Sequence, residues 1–136
     1  MKKENRKWIA CIDFTNLYQA CLKDSYPLQK IDQLIEVTVR HELLSFIDSY
    51  SGYNQIRMNP PYEDKIAFTK GQGIYCYKVM PFRLKNAGAT FQQMINKVFK
   101  DLIENTVEVY VDDMLVKSVK HTEHLQHLNK ALNLLR

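Results

Sequence analysis

This 136-residue chain has no long apolar run. No stretch approaches the roughly 18 consecutive apolar residues of a membrane-crossing helix. The opening, MKKENRKWIACIDF, is basic but holds no apolar segment of secretory-signal length, so an export signal is not expected. Cysteine is scarce: Cys11, Cys21 and Cys76 are odd in number and scattered. That pattern fits neither a disulfide framework nor a zinc site, and reads as reduced thiols in an intracellular protein. Cytoplasm or nucleus is the expected setting, with an organelle such as the mitochondrion an open alternative. Glycine and proline number four each, too few for low complexity, and no internal repeat is visible. The net charge of +4 is mildly basic, compatible with a nucleic-acid partner without demanding one.

What is present suits a single folded domain. Hydrophobic residues make up 46% and charged residues 25%, ordinary for a globular chain. The length suffices for one modest core. Residues 7–13, KWIACID, read as a strand. Pro27 in SYPL biases Tyr26 toward extended backbone. Ile31, Leu34, Ile35 and Thr38 recur at helical spacing. LLSFID, 43–48, is a short apolar run ending in an acid, and SGYNQIRM, 51–58, reads as a turn and an alternating strand. KIAFT and IYCYKVM flank Gly71 and Gly73 as a hairpin. The clearest helix is 88–104, with Phe91, Met94, Ile95, Val98, Phe99 and Leu102 on one stripe. Residues 122–135 repeat the pattern with Leu125, Leu128, Leu132 and Leu135, and Thr122 is a candidate N-cap. His121, His124 and His127 recur beside few acids and read as a solvated helix face; Lys117 and Lys120 read as exposed or as phosphate contacts. Interleaved helices and hairpin-connected strands point to an α+β fold, an antiparallel sheet with helices packed on one face.

One stretch asks for chemistry: VEVYVDDMLVKS, 107–118. Val107, Val109 and Val111 alternate with polar positions, so Asp112 and Asp113 read locally as a hairpin turn. A second acid changes the weighing. If the strand ending at Asp48 pairs beside this hairpin, three carboxylates converge. Like charges oppose each other's ionisation. A hard divalent cation such as Mg²⁺ is the natural compensation. Two such ions about 3.5–4 Å apart serve phosphoryl transfer.

YVDD, 110–113, resembles the catalytic signature of reverse transcriptases. The surrounding text resembles the gypsy-type LTR retrotransposon branch: KDSYPL, IDQLIE, LLSFIDSYSGYNQIRM, KIAFT, YCYKVMPF, LKNAGATFQ and VEVYVDDMLVKS, in the family's order. The four-letter motif alone is weak; the ordered set, spanning nearly the whole chain, is specific. The resemblance implies an RNA-directed DNA polymerase with a right-hand architecture. It implies a ferredoxin- or RRM-like palm over 26–55 and 87–136, and partial fingers over 1–25 and 56–86. It assigns the catalytic and metal-binding acids to Asp48, Asp112 and Asp113, with two Mg²⁺ ions, or Mn²⁺ in their place. It assigns the incoming dNTP to Ser51, Gly52 and Tyr53, Tyr53 being the aromatic that excludes a ribose 2′-hydroxyl, and to Lys2 in the fingers. The helix from Ala87 would lie under the template of a primed RNA or DNA strand. No membrane partner is expected.

Four residues depart from the family text, one of them Tyr18, which stands at an asparagine. Ile9 stands after Trp8 where the family has a triphosphate-holding arginine, and Thr15 stands at another arginine. Arg83 stands at a glycine, a position expected to need a backbone conformation or close approach that a side chain obstructs. No counterpart of thumb, connection or RNase H is read in these residues, so a partial domain is expected. The alternative reading is a retroelement-derived remnant without catalysis, at most a weak nucleic-acid binder.

Overall fold

The computed structural model describes residues 12–28 and 30–135. The strand expected over 7–13 lies largely outside them; Ile12 and Asp13 are irregular and lead into a short helix, α1 (Thr15–Ala20). Then follow α2 (Ile31–Thr38), β1 (Leu43–Asp48), α3 (Pro60–Glu63), β2 (Phe68–Lys70), β3 (Gly73–Tyr75), α4 (Ala87–Val98), β4 (Val107–Tyr110), β5 (Asp113–Ser118) and α5 (His121–Leu134). β1, β5 and β4 form one antiparallel sheet with β5 in the middle, and β2–β3 is a separate hairpin.

The core lies between that sheet and the helices α4 and α5. Val107 and Val109 of β4 sit opposite Val116 and Met114 of β5, and all four are buried. Phe91, Ile95 and Phe99 press onto them from the α4 stripe, and Ala131 from α5. Burying each large apolar side chain is worth roughly 1.5–3 kcal/mol relative to exposure. Helices do pack on one face, as expected. α2 flanks the opposite face across a 480 Å³ groove lined by Leu34, Leu44, Phe46 and Leu115.

Three local expectations are corrected. The turn expected at the start of 51–58 is present as the 3₁₀ segment Gly52–Gln55, but the strand after it shrinks to one antiparallel bridge, Arg57 to Val79, with Met58 N–H donating to Lys78 O at 3.0 Å and Met80 N–H to Ile56 O at 2.8 Å. The SGYN segment satisfies its backbone locally instead, with Asn54 N–H donating to Ser51 O at 2.9 Å. Of the α5 histidines only His121 is solvated. His124 is buried, sharing 2.8 Å hydrogen bonds with Ser45 through Nε2 and Ser118 through Nδ1, and Ser118 also meets His127 Nδ1 at 2.8 Å. The inward stripe of α5 is therefore His124, Leu128 and Ala131, and Leu125 is 71% exposed. The helix begins after Lys120 rather than at Thr122, and its His121 N–H is taken by the Glu42 carboxylate at 2.9 Å. Lys117 is not a surface lysine. Its ammonium is 2.6 Å from Glu108, with both side chains almost fully buried on the α2 side of the sheet.

A buried charge left without its partner is costly. Lys117→Met should lower unfolding free energy by about 3–5 kcal/mol, and Lys117→Met with Glu108→Leu should recover most of that loss. Urea titration followed by circular dichroism measures both.

Candidate active site

β5 sets the site because it is hydrogen-bonded along both edges. Its first residue, Asp113, pairs with Tyr110 of β4 and with Asp48 of β1. The two acids therefore face each other across the ladder. The tight turn is made by Val111 and Asp112, one residue earlier than the aspartate pair suggests, because Asp113 already belongs to the strand. Ser49 N–H donates to Asp112 O at 3.3 Å, which ties the end of β1 to the turn.

The turn is strained. Val111 has φ +53°, in the left-handed region. The matching position of the β2–β3 hairpin is Gly71, at φ +61°. Two-residue hairpin turns favour glycine there, and a β-branched residue is an outlier. Strain of this kind costs about 1–3 kcal/mol and persists where the surroundings over-determine it. The surroundings here include Gln92, a buried amide on α4. Its Oε1 accepts from Val111 N–H at 2.6 Å, and its Nε2 donates to Val109 O at 3.1 Å.

Asp112 is half-buried and its neighbours are not, since Asp48 and Asp113 are both exposed. Burial pushes the Asp112 carboxyl above its ordinary range; the Tyr53 hydroxyl beside it works the other way, and the charges of Asp113 and Asp48 add to the upward push. Tyr53 is itself pushed up to about 12, by burial first and then by the Asp112 carboxylate. Asp112 Oδ1 is fully buried and has no hydrogen-bond partner among the described residues. Among those residues no three side chains close around one point as a finished metal site. The donor set nevertheless fits a hard divalent cation. It is all oxygen, it includes an orphaned buried acceptor, and it carries a mutual repulsion that a cation would relieve.

The other site candidates divide. Ser51 is left-handed at φ +52°, and Gly52 behind it is buried. A Cβ on Gly52 would meet Phe91 Cε2 and Ser49 Oγ at 2.7 Å each, so only glycine fits. Tyr53 is wedged between Phe82 and Phe91, with ring centroids 5.2 and 5.4 Å away. Lys2, Trp8 and Ile9 lie outside the described residues. Thr15 is engaged locally, its N–H and hydroxyl both bound to Asp13 Oδ1 at 2.9 and 2.5 Å. Arg83 has φ +73°, so the backbone at that position is one that favours glycine. Gln92 has no role in the sequence reading. The available signal is a polar amide set among Phe91, Ile95 and Phe99, since buried amides must find partners.

The sequence model of the family described as reverse transcriptase (RNA-dependent DNA polymerase) matches residues 1–136. The chain belongs to the reverse transcriptase family. It is 34% identical over 122 residues to the retrovirus-related Pol polyprotein from transposon 297 of Drosophila melanogaster, covering 90% of this chain and 12% of that one. It is 33% identical to an RNA-directed DNA polymerase homolog of Oenothera berteroana, covering 87% of this chain and 85% of that protein. It is 30% identical to the Pol polyprotein from transposon gypsy, covering 91% of this chain and 12% of that one. This reverse transcriptase chain thus spans a small part of the Drosophila polyproteins and most of the Oenothera homolog. In fold it is similar to the protease–reverse transcriptase of prototype foamy virus, with a TM-score of 0.88 at 23% identity over 99% of this chain and 18% of that one. The α+β architecture is accordingly a palm-and-fingers portion of the polymerase fold.

Asp112 fixes a pH dependence. A carboxyl whose folded pKa is raised contributes most when protonated, below its unfolded value near 3.8, and that contribution is lost as pH rises through the folded value. Asp112→Asn removes the penalty. In metal-free protein it should raise the thermal midpoint at pH 7 and leave it nearly unchanged at pH 3. Calorimetry at the two pH values, with chelator present, checks this.

Proposed function

We propose that this chain is the catalytic fingers–palm portion of an RNA-directed DNA polymerase of gypsy-type retroelement origin. The observation that carries the proposal is the register placing Asp48 opposite Asp113, with the orphaned Asp112 Oδ1 at the adjoining turn. Asp48, Asp112 and Asp113 would hold Mg²⁺, or Mn²⁺ in its place. Bound there, such ions supply charge neutralisation to a phosphoryl transfer from a dNTP to a primer 3′-hydroxyl. The protein's own contribution is positioning. Ser51 and Gly52 bring backbone close to where the triphosphate would rest, and the packed ring of Tyr53 gives the sugar a rigid neighbour. Lys2 would contact phosphate from the fingers. Under this reading, 1–25 and 56–86 are the fingers and 26–55 and 87–136 the palm. An intracellular setting suits the free thiols of Cys21 and Cys76.

A 550 Å³ groove between α1 and the start of α4 supports a nucleic-acid partner. Arg57, Lys65, Arg83 and Lys85 stand along it. A foamy virus neighbour, with a TM-score of 0.81, was solved in complex with an RNA/DNA hybrid. We expect a primed template to bind this groove weakly through its phosphates. Each phosphate contact adds a slope of about −0.9 to the salt dependence on B-form DNA. Arg57→Ala should reduce the slope by about one such contact and weaken all sequences alike. Fluorescence anisotropy over a salt series tests it, and tight binding insensitive to salt would count against the groove.

The second reading is a remnant without catalysis. It is favoured by Thr15, whose hydroxyl is spent on Asp13, and by Arg83, held in a conformation suited to glycine. A guanidinium makes charge-assisted bonds worth roughly 1.5–3 kcal/mol, and each 1.36 kcal/mol lost from the transition state costs about tenfold in rate. The deciding experiment grafts residues 1–136 into the transposon 297 polyprotein in place of its own segment. The proposal expects Mg²⁺-dependent deoxynucleotide incorporation on a primed RNA template, abolished by Asp112→Asn. Activity that appears only after Ile9→Arg, Thr15→Arg and Arg83→Gly establishes the remnant. A folded, primer-binding chimera that stays inactive even then overturns the polymerase reading.

A further inference from the structure

The strained turn at Val111 is the end of a hydrogen-bond chain that begins far away in the sequence. Gln92 uses its whole amide. Oε1 takes Val111 N–H, and Nε2 donates to Val109 O and, at 3.0 Å, to Asn96 Oδ1. Asn96 in turn donates through Nδ2 to the Tyr26 hydroxyl at 2.6 Å. Tyr26 belongs to an extended segment fastened along α4 at three further points. Asn86 Nδ2 donates to Leu22 O at 2.9 Å, Asp24 N–H donates to Asn86 Oδ1 at 3.0 Å, and Gln93 Nε2 donates to Asp24 Oδ2 at 3.1 Å. The same Asp24 accepts the Tyr26 N–H at 2.9 Å.

Donor and acceptor arithmetic gives the chain a direction. A primary amide has a carbonyl that only accepts and an NH₂ that only donates. Val111 N–H can only donate and Val109 O can only accept, so the turn itself fixes which way the Gln92 amide faces. Asn96 Oδ1 gives the Gln92 NH₂ a second acceptor, and Asn96 Nδ2 ends the chain on the Tyr26 hydroxyl, which adapts as donor or acceptor. If Asn96 were turned over, the Gln92 NH₂ would face a donor and lose that support. The turn needs that bond, because its left-handed valine lacks the freedom glycine would have.

We propose that Gln92 is the positioning residue of the Asp112 turn and that Asn96, held by the Tyr26 hydroxyl, braces its amide from behind. The packing of residues 22–26 along α4 is then coupled to where the Asp112 carboxylate sits. The inference rests on the reading of 110–113 as the catalytic turn, and its test separates the two.

The experiment is NMR of the full 136-residue chain, reading hydrogen exchange of the Val111 amide and Mn²⁺-induced broadening at residues 110–113. Gln92→Met keeps length and removes both polar groups. It should speed Val111 exchange about tenfold, the scale of one net hydrogen bond, and weaken Mn²⁺ binding at the turn by a similar factor. Gln92→Glu keeps an acceptor and should retain most of the protection at neutral pH. Tyr26→Phe, far from the turn and leaving the core untouched, should show a smaller change of the same sign at Val111 and none in β2–β3. It keeps the test decisive if Gln92→Met fails to fold. Unchanged Val111 exchange and Mn²⁺ affinity in Tyr26→Phe and in a folded Gln92→Met overturn the proposal. If the amide responds while the unaltered chain binds no Mn²⁺, the relay stands and the metal reading falls.

Discussion

Everything at the carboxylate end depends on the register of β5 against its two neighbours. A strand's side chains alternate between faces, so a slip of one residue would exchange the two sets. In the observed register Met114 and Val116 enter the core against Val109 and Val107, while Asp113 is left facing Asp48. Apolar burial thus fixes where the acids go. The α2 face enforces the same choice. Glu108 and Lys117 are both buried and meet only in this register, and a slip would turn them into the apolar core. The acids repel one another, so their proximity must be imposed by forces elsewhere in the sheet.

Much of the sheet and of α4 is legible in the sequence because it is periodic. Strands 43–48 and 107–118 and the Phe91–Ile95–Phe99 stripe follow from spacing alone. α5 is misread in phase because histidine is not counted as apolar. His124 goes inside, since Ser45 and Ser118 satisfy both its ring nitrogens, and Leu125 and Leu132 turn outward while Leu128 stays against the core. The 51–58 segment has strand-like alternation, but Gly52–Gln55 closes its hydrogen bonds locally and only 56–58 bonds across to 78–80. The turn is displaced by one because a left-handed valine cannot be inferred from a preference that names glycine and asparagine. The approach of Asp48 to Asp113 is a long-range fact that no local rule supplies. Its placement comes from the ordered resemblance, and the sheet then gives that order a physical meaning.

Two of the left-handed residues have opposite logic. Val111 is strained and anchored, its N–H held by an amide that cannot move without opening the core. Arg83 is strained and exposed, and among the described residues its side chain has no hydrogen bond or ion pair. Strain that is over-determined by its surroundings is a device, whereas strain with no compensating contact is only a cost. The two therefore respond differently to substitution by glycine. At Arg83 the change relieves strain and removes one exposed cation from the groove, while at Val111 it also frees the position of Asp112.

That contrast extends to the whole molecule. The groups that hold the acids in place, namely the β5 register, the phenylalanine stripe, Gln92 and the Glu108–Lys117 pair, are buried and interdependent, so altering one disturbs folding. Thr15 and Arg83 are exposed and contribute nothing to the core. A chain of this design can change such exposed groups without losing its fold or the geometry of its carboxylates. The packing that folds the sheet fixes where positions 48, 112 and 113 stand, but the carboxylates themselves add repulsion rather than stability, so folding alone gives no reason for three acids to occupy them.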